Sequence, residues 1–128
     1  MNLMTLEWIQ KAEDDFIVAQ RELRARKSPV YDAVCFHSQQ CVEKYLKAFL
    51  QDNEIPVPRT HQLLDLLKIC KETDPSFELL LADINLIEPF SVNIRYPDIR
   101  ANKEEARMVF NAVQRIRQVL QQKLGASL

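Results

Sequence analysis

The sequence predicts an all-α protein, an antiparallel up-and-down helical bundle of three long helices with a short helical pair inserted between the second and the last. Three observations predict it. The chain has one glycine in 128 residues, whereas sheets joined by tight hairpins need several for turns with positive φ. Apolar residues recur at alternating spacings of three and four over long stretches, which marks one face of a helix. Serine, threonine, aspartate or asparagine stands where each stretch begins, twice followed by proline, and these residue types cap helix starts. With 47% of its residues hydrophobic, the chain has apolar mass for one core, so residues 1–128 read as a single domain.

The first helix is predicted over Leu6–Arg26, with Thr5 as its cap and Glu7 in the first turn, where the helix dipole favours a carboxylate. Ile9, Ala12, Phe16, Ala19 and Leu23 form its apolar stripe, with Trp8 at the edge. Arg21, Arg24, Arg26 and Lys27 suit its negative C-terminal end. Ser28-Pro29 restarts the chain as cap and first helical residue, and the second helix runs to about Gln51. There Val34, Cys35, Cys41, Val42, Tyr45, Leu46, Ala48 and Phe49 fill one buried arc. Pro56 and Pro58 enforce extended backbone before Arg59. Thr60 caps a third helix over His61–Glu72, with Leu63, Leu64, Leu66, Leu67 and Ile69 mostly buried. Asp74-Pro75 opens a short fourth helix to about Ile84. Leu86–Ala101 holds Pro89 and Pro97 and has no clean periodicity, so it reads as a long loop, a feature that compact domains more often keep for function. Asn102 and Glu105 approximate a capping box for the last helix. Its stripe is Ala106, Val109, Phe110, Val113, Ile116 and Leu120, ending before Gly125. The three long helices, each roughly 30 Å, can pack along their whole lengths.

Composition excludes several classes. A net charge of −1 with 27% charged residues gives no bulk attraction to nucleic acid or acidic membranes, though a local basic face stays open. No apolar run approaches the roughly 18–20 residues that span a bilayer. The N-terminal MNLMTLEWIQKAEDD has neither a basic start nor a small-residue cleavage site, so a cytoplasmic location without membrane contact is expected. Cys35, Cys41 and Cys70 lack C-x-x-C spacing and read as small buried hydrophobes. His37 and Cys41 offer two ligands on one helix face where a closed zinc site wants four, so no metal is expected. No cofactor is expected either, since one glycine cannot build a Gly-rich phosphate loop. His37 and Ser38 are adjacent in a helix and point about 100° apart, so they form no catalytic dyad.

Three places carry candidate chemistry. His37, Gln40, Lys44 and Lys47 share one face of the second helix, and a row of such donors suits a phosphate or a nucleotide base. The plain alternative is a solvated face with His37 at its border. Arg59-Thr60-His61 stands at a helix N-terminus, where free N–H groups favour an anion; the alternative is simple capping by Thr60. Asn93 to Arg100 puts two guanidinium groups, a phenol and a carboxylate on a loop. Arg95 and Arg100 would bind phosphate while Tyr96 stacks on a base, or Arg95 pairs with Asp98 to stiffen the loop.

The residues that carry a resemblance run through the chain. They are a Trp-containing first helix with Ala12-x-x-Asp15-x-x-x-Ala19, the run Cys35-Phe36-His37-Ser38-Gln39-Gln40-Cys41-Val42-Glu43-Lys44-Tyr45-Leu46-Lys47-Ala48, then Pro58-Arg59-Thr60-His61-Gln62-Leu63 and Arg95-Tyr96-Pro97-Asp98. Together they resemble the HEPN domain, named for its occurrence in higher eukaryotes and prokaryotes and its proposed nucleotide binding. The resemblance implies a helical bundle that usually forms homodimers. It also implies a prokaryotic partner, a minimal nucleotidyltransferase, often in a toxin–antitoxin pair. Many members of that family are metal-independent ribonucleases with an Arg-x(4–6)-His motif near the start of the last long helix. In that motif the histidine is the general acid/base and the arginine stabilises phosphate. This chain departs from the motif: the fifth to seventh residues after Arg95 are Arg100, Ala101 and Asn102, and its histidines are His37 and His61. The expectation is therefore a homodimeric nucleotide- or RNA-binding module with a nucleotidyltransferase partner. The alternative is a ribonuclease toxin with a displaced active site using His61 or His37 with Arg95.

Overall fold

The computed structural model describes residues 1–92 and 96–125. Its elements are α1 (Leu3–Leu23), α2 (Tyr31–Asp52), α3 (Leu63–Thr73), a 3-10 segment (Pro75–Leu80), α4 (Leu81–Val92) and α5 (Lys103–Leu124). The described residues contain no strand. The all-helical bundle of three long helices with an inserted shorter pair is the architecture the sequence predicts.

Helix α2 is central and packs against each of the other four. Cross-links fix the directions. Glu13 and Asp15 of α1 meet Tyr45, Lys44 and His37 of α2, while Phe16 stacks on Phe110 and Glu13 pairs with Arg117 of α5. Helix α1 is thus antiparallel to both. Asp32 of α2 bonds to Ala101 just before α5, and Tyr45 bonds to Gln121, so α2 and α5 run in the same direction. The inserted α3 and α4 make that possible by carrying the chain back.

The stripes forecast for the long helices form the core, with Ile9, Ala12, Phe16 and Ala19 meeting Val34, Tyr45 and Leu46 and Val109, Val113 and Ile116. Cys35, Cys41 and Cys70 are free and buried; loss of water pushes the thiols of Cys35 and Cys70 up to about 12 and Cys41 up as well. At the meeting of the three long helices Glu13 accepts two hydrogen bonds from Arg117, at 2.7 and 2.6 Å, and one from the Tyr45 hydroxyl. Burial works to raise the Glu13 carboxyl, but the bonds from Arg117 and Tyr45 outweigh it and hold the group below its usual range.

Several helix starts differ from the sequence expectation, for one reason: the caps come from elsewhere. Asn2, not Thr5, caps α1, accepting from the Thr5 N–H at 2.8 Å, and Thr5 lies buried inside the helix. Ser28 takes a left-handed backbone with φ of 47° in the turn, and no side chain caps α2 at Val30. Instead the Glu22 carboxylate accepts the Val30 N–H from eight residues back. Helix α3 begins at Leu63 rather than His61, because its first N–H groups, from Leu63 and Leu64, donate to Glu88 of α4. Leu64 is also exposed rather than buried. Asp74 does cap the segment begun by Pro75, and the Asn102–Glu105 capping box is complete. Residues 86–92, expected to open a loop, are instead the second half of α4, with Pro89 inside it. Ile84 and Ile87 are buried while Leu81, Leu86 and Phe90 pack on the core from other sides, so no single stripe advertises this helix. Arg95 and its neighbours Asn93 and Ile94 lie outside the described residues.

Asp74 also accepts from Lys123 of α5 at 2.6 Å. Those side-chain bonds from Lys123, with Ser76 adding to them, hold the Asp74 carboxyl at about 2 against a usual 3.8. A depressed carboxyl stabilises the fold above its unfolded value, and the stabilisation is lost as pH falls through the folded value. Thermal melts of wild type and Asp74→Asn are therefore expected to separate at neutral pH and converge as pH drops to about 2.

Candidate nucleotide site

The stripe of α2 does share one face, but that face looks along α1 rather than out to water. His37 Nδ1 lies 2.8 Å from Asp15 Oδ1, and Lys44 donates to the other oxygen of the same carboxylate at 2.5 Å. Since a carboxylate only accepts, Nδ1 is the donor in this contact. Gln40 donates to Gln39 Oε1 at 3.0 Å. One turn on, Lys47 is 5% exposed and pairs with Glu43, itself 3% exposed, at 3.1 Å. The Lys47 ammonium also stands 5.5 Å from the centre of the Trp8 ring. Each member of the row is therefore held by a partner within the chain.

Asp15, Glu43 and Trp8 are the residues that sequence reasoning passed over as functional. A signal existed for two of them. Asp15 falls at stripe spacing between Ala12 and Ala19, both fully buried, and Glu43 falls inside the buried arc of α2. A carboxylate on a packed face must be paired, so each foretold a cationic neighbour.

The second cluster forms where the proline-bearing connection returns over α2. Gln39 donates to the His61 carbonyl at 3.0 Å, and His61 Nδ1 approaches Glu43 Oε2 at 3.2 Å. Glu43 thus sits between a buried ammonium and an imidazole whose side chain is 72% exposed. Beside it opens a cleft of about 420 Å³. Met4, Trp8, Val57 and Pro58 make its apolar wall, Lys47 and Arg59 bring the cations, and His61 adds an imidazole. Trp8 Nε1 is buried and has no hydrogen-bond partner among the described residues. The free N–H groups of α3 are not part of this cleft's chemistry. They hold an anion already, the protein's own Glu88, while the Thr60 hydroxyl accepts from the Gln62 N–H.

Tyr96 and Arg100 lie elsewhere. Both are exposed, and the Ala101 N–H donating to Asp32 at 2.7 Å fixes Arg100 beside the first turn of α2. Asp32 and Lys47 are separated by about 22 Å along the helix at 1.5 Å per residue. The structure therefore gathers Lys47, Arg59 and His61 at one end of α2, leaves His37 and Lys44 on Asp15 midway, and puts Tyr96 and Arg100 at the other end.

A family model for the HEPN domain matches residues 5–123. The chain belongs to the HEPN domain family. Its fold is similar to that of ST0689, an archaeal HEPN homologue, with 26% identity, a TM-score of 0.72 and coverage of 94% of this chain and 97% of that one. It is also similar to TT1696 from Thermus thermophilus, with 25% identity, a TM-score of 0.79 and coverage of 93% and 97%. No curated protein matches the chain. The HEPN match covers both polar clusters of α2, the α2–α3 connection and the lining of the Trp8 cleft except Met4. No helix among the described residues is long and apolar enough to cross a membrane.

Proposed function

We propose that this HEPN domain is a homodimeric, cytoplasmic nucleotide- or RNA-binding module that partners a minimal nucleotidyltransferase in a toxin–antitoxin-like pair. The observation that carries the binding is the cleft in which Trp8, Arg59, His61 and Lys47 meet. A base fits against the apolar wall of Trp8, Val57 and Pro58, while the exposed Arg59 guanidinium and His61 imidazole reach phosphate oxygens. His37, Gln40 and Lys44 continue the polar seam from that cleft along α2, and Arg95, Tyr96 and Arg100, which precede α5 in the sequence, add a second set of contacts. The absent Arg-x(4–6)-His motif leaves no proton shuttle at Arg95.

One observation favours the alternative of a metal-independent ribonuclease with a displaced site. Glu43 holds His61 by Nδ1, the arrangement that leaves Nε2 free to take a proton from a ribose hydroxyl. Arg59, two residues before it, would then steady the phosphate.

Calorimetric titration of the purified chain with ATP and a short RNA separates these readings. Arg59→Ala and Trp8→Ala are each expected to weaken binding about tenfold to a hundredfold, since a charge-assisted hydrogen bond or a stacked base is worth about 1–3 kcal/mol. Unchanged affinity in both variants would remove this cleft from the function. Cleavage of RNA in EDTA that disappears in His61→Ala would establish the nuclease instead.

A further inference from the structure

At the opposite end of α1 from Trp8, the chain leaves the helix through Arg24 and Arg26 and turns at left-handed Ser28. Beside that turn α5 begins, with Lys103 and Arg107 one helical turn apart on the same face. These four cations, with Pro29 and Tyr31, line a cleft of about 610 Å³ that no carboxylate lines. None of the four makes an ion pair among the described residues, whereas Lys44, Lys47, Arg115, Arg117 and Lys123 are each paired.

Helix dipoles do not account for the cluster. Arg24 and Arg26 suit the negative end of α1, but Lys103 stands in the first turn of α5, the positive end, where a cation is disfavoured. Two pairs of like charges from opposite ends of the sequence are brought together on one concave surface of a chain whose net charge is −1. Arg100, three residues before Lys103 and beside the Ala101–Asp32 bond, carries the positive rim toward the start of α2. Such an arrangement is stable and useful when an anion with several charges fills it. Guanidinium groups match phosphate oxygens two at a time.

We propose that this cleft binds an oligophosphate, either the backbone of an oligonucleotide or a free polyphosphate chain. It is separate from the Trp8 cleft: Trp8 and Arg24 are about 24 Å apart along α1. No residue that lines this cleft lines that other one.

The full chain should be titrated with inorganic tripolyphosphate, with a short oligouridylate and with polyglutamate. The double variant Arg24→Ala/Arg107→Ala is expected to bind tripolyphosphate at least about tenfold more weakly, the loss expected when charge-assisted contacts go. Lys68→Ala, on the exposed side of α3, should leave that affinity unchanged. For the oligouridylate, the dependence of log affinity on log salt should flatten by about 1.4, at roughly 0.7 for each lost phosphate contact. A response confined to one polyanion identifies the source as nucleic acid or free polyphosphate. The proposal is overturned if the double variant binds both phosphate ligands as wild type does. It is also overturned if polyglutamate binds as tightly as the oligouridylate and is lost with it, which would make the cleft a dock for an acidic protein. Arg24 and Arg107 are both exposed, so an unchanged unfolding midpoint will show that the variant is folded.

Discussion

Replacing Glu43 with alanine is expected to destabilise the fold by about 3–5 kcal/mol, the range for breaking a buried ion pair from one side. Glu43 and Lys47 are almost wholly buried, so the variant leaves an ammonium in the seam between α1 and α2 with the Trp8 ring beside it and no other acceptor or ring partner among the described residues. A cation over an indole is worth about 2 kcal/mol when desolvated, which does not offset the loss. Gln39 and His61 would lose the same acceptor. Against the about 5–15 kcal/mol that stabilises an ordinary domain, this is a large fraction. Urea unfolding should show the midpoint falling with an unchanged slope. The companion Glu43→Leu/Lys47→Leu should recover most of the stability, because removing both charges leaves nothing unpaired. If Glu43→Ala stays within about 1 kcal/mol of wild type, as an exposed pair would, Lys47 reaches water and the seam is not closed.

Phe77→Ala should cost a similar amount, about 3–5 kcal/mol, by another route. Phe77 is fully buried, its ring meets Phe49 edge-on at 4.6 Å, and the Lys123 ammonium stands 4.8 Å from its centre. It is the anchor that seats the 3-10 segment on α2 and α5, and truncation leaves a cavity its helical neighbours can close only in part. Two residues on, Leu79 is 83% exposed, and Leu79→Ala should change stability by no more than about 0.5 kcal/mol. The pair of midpoints tests the packing directly. Equal effects at the two positions would mean that the segment does not dock through Phe77.

What is legible in the sequence is what local chemistry encodes. The buried arc of α2 and the Asn102–Glu105 box depend on residues a few positions apart, and both stand in the structure as spacing implies. The start of α3 escapes local reading because its cap, Glu88, comes from 24 and 25 residues away. The second half of α4 is hidden because it is apolar on several sides, and Pro89 reads as a terminator. The candidate site shows the same division. That His37, Gln40, Lys44 and Lys47 lie on one face follows from the helix period alone. Where that face points is set by Trp8 and Asp15 on another helix, and periodicity within α2 carries no information about them. The Trp8 cleft needs the folded connection through Pro58 to bring Arg59 and His61 over Lys47.

The salt link between Glu13 and Arg117 joins residues 104 positions apart, and Phe16 finds Phe110 across the same seam. A nascent chain emerging from the ribosome therefore makes α1 and α2 long before α5 exists to close over them. During that interval the α1 surface destined for burial carries a hydrated carboxylate beside its aromatic ring, and charge in an unfinished apolar strip discourages the sticking of one incomplete chain to another. The bundle becomes whole only when helix α5 arrives with the guanidinium that Glu13 has been awaiting.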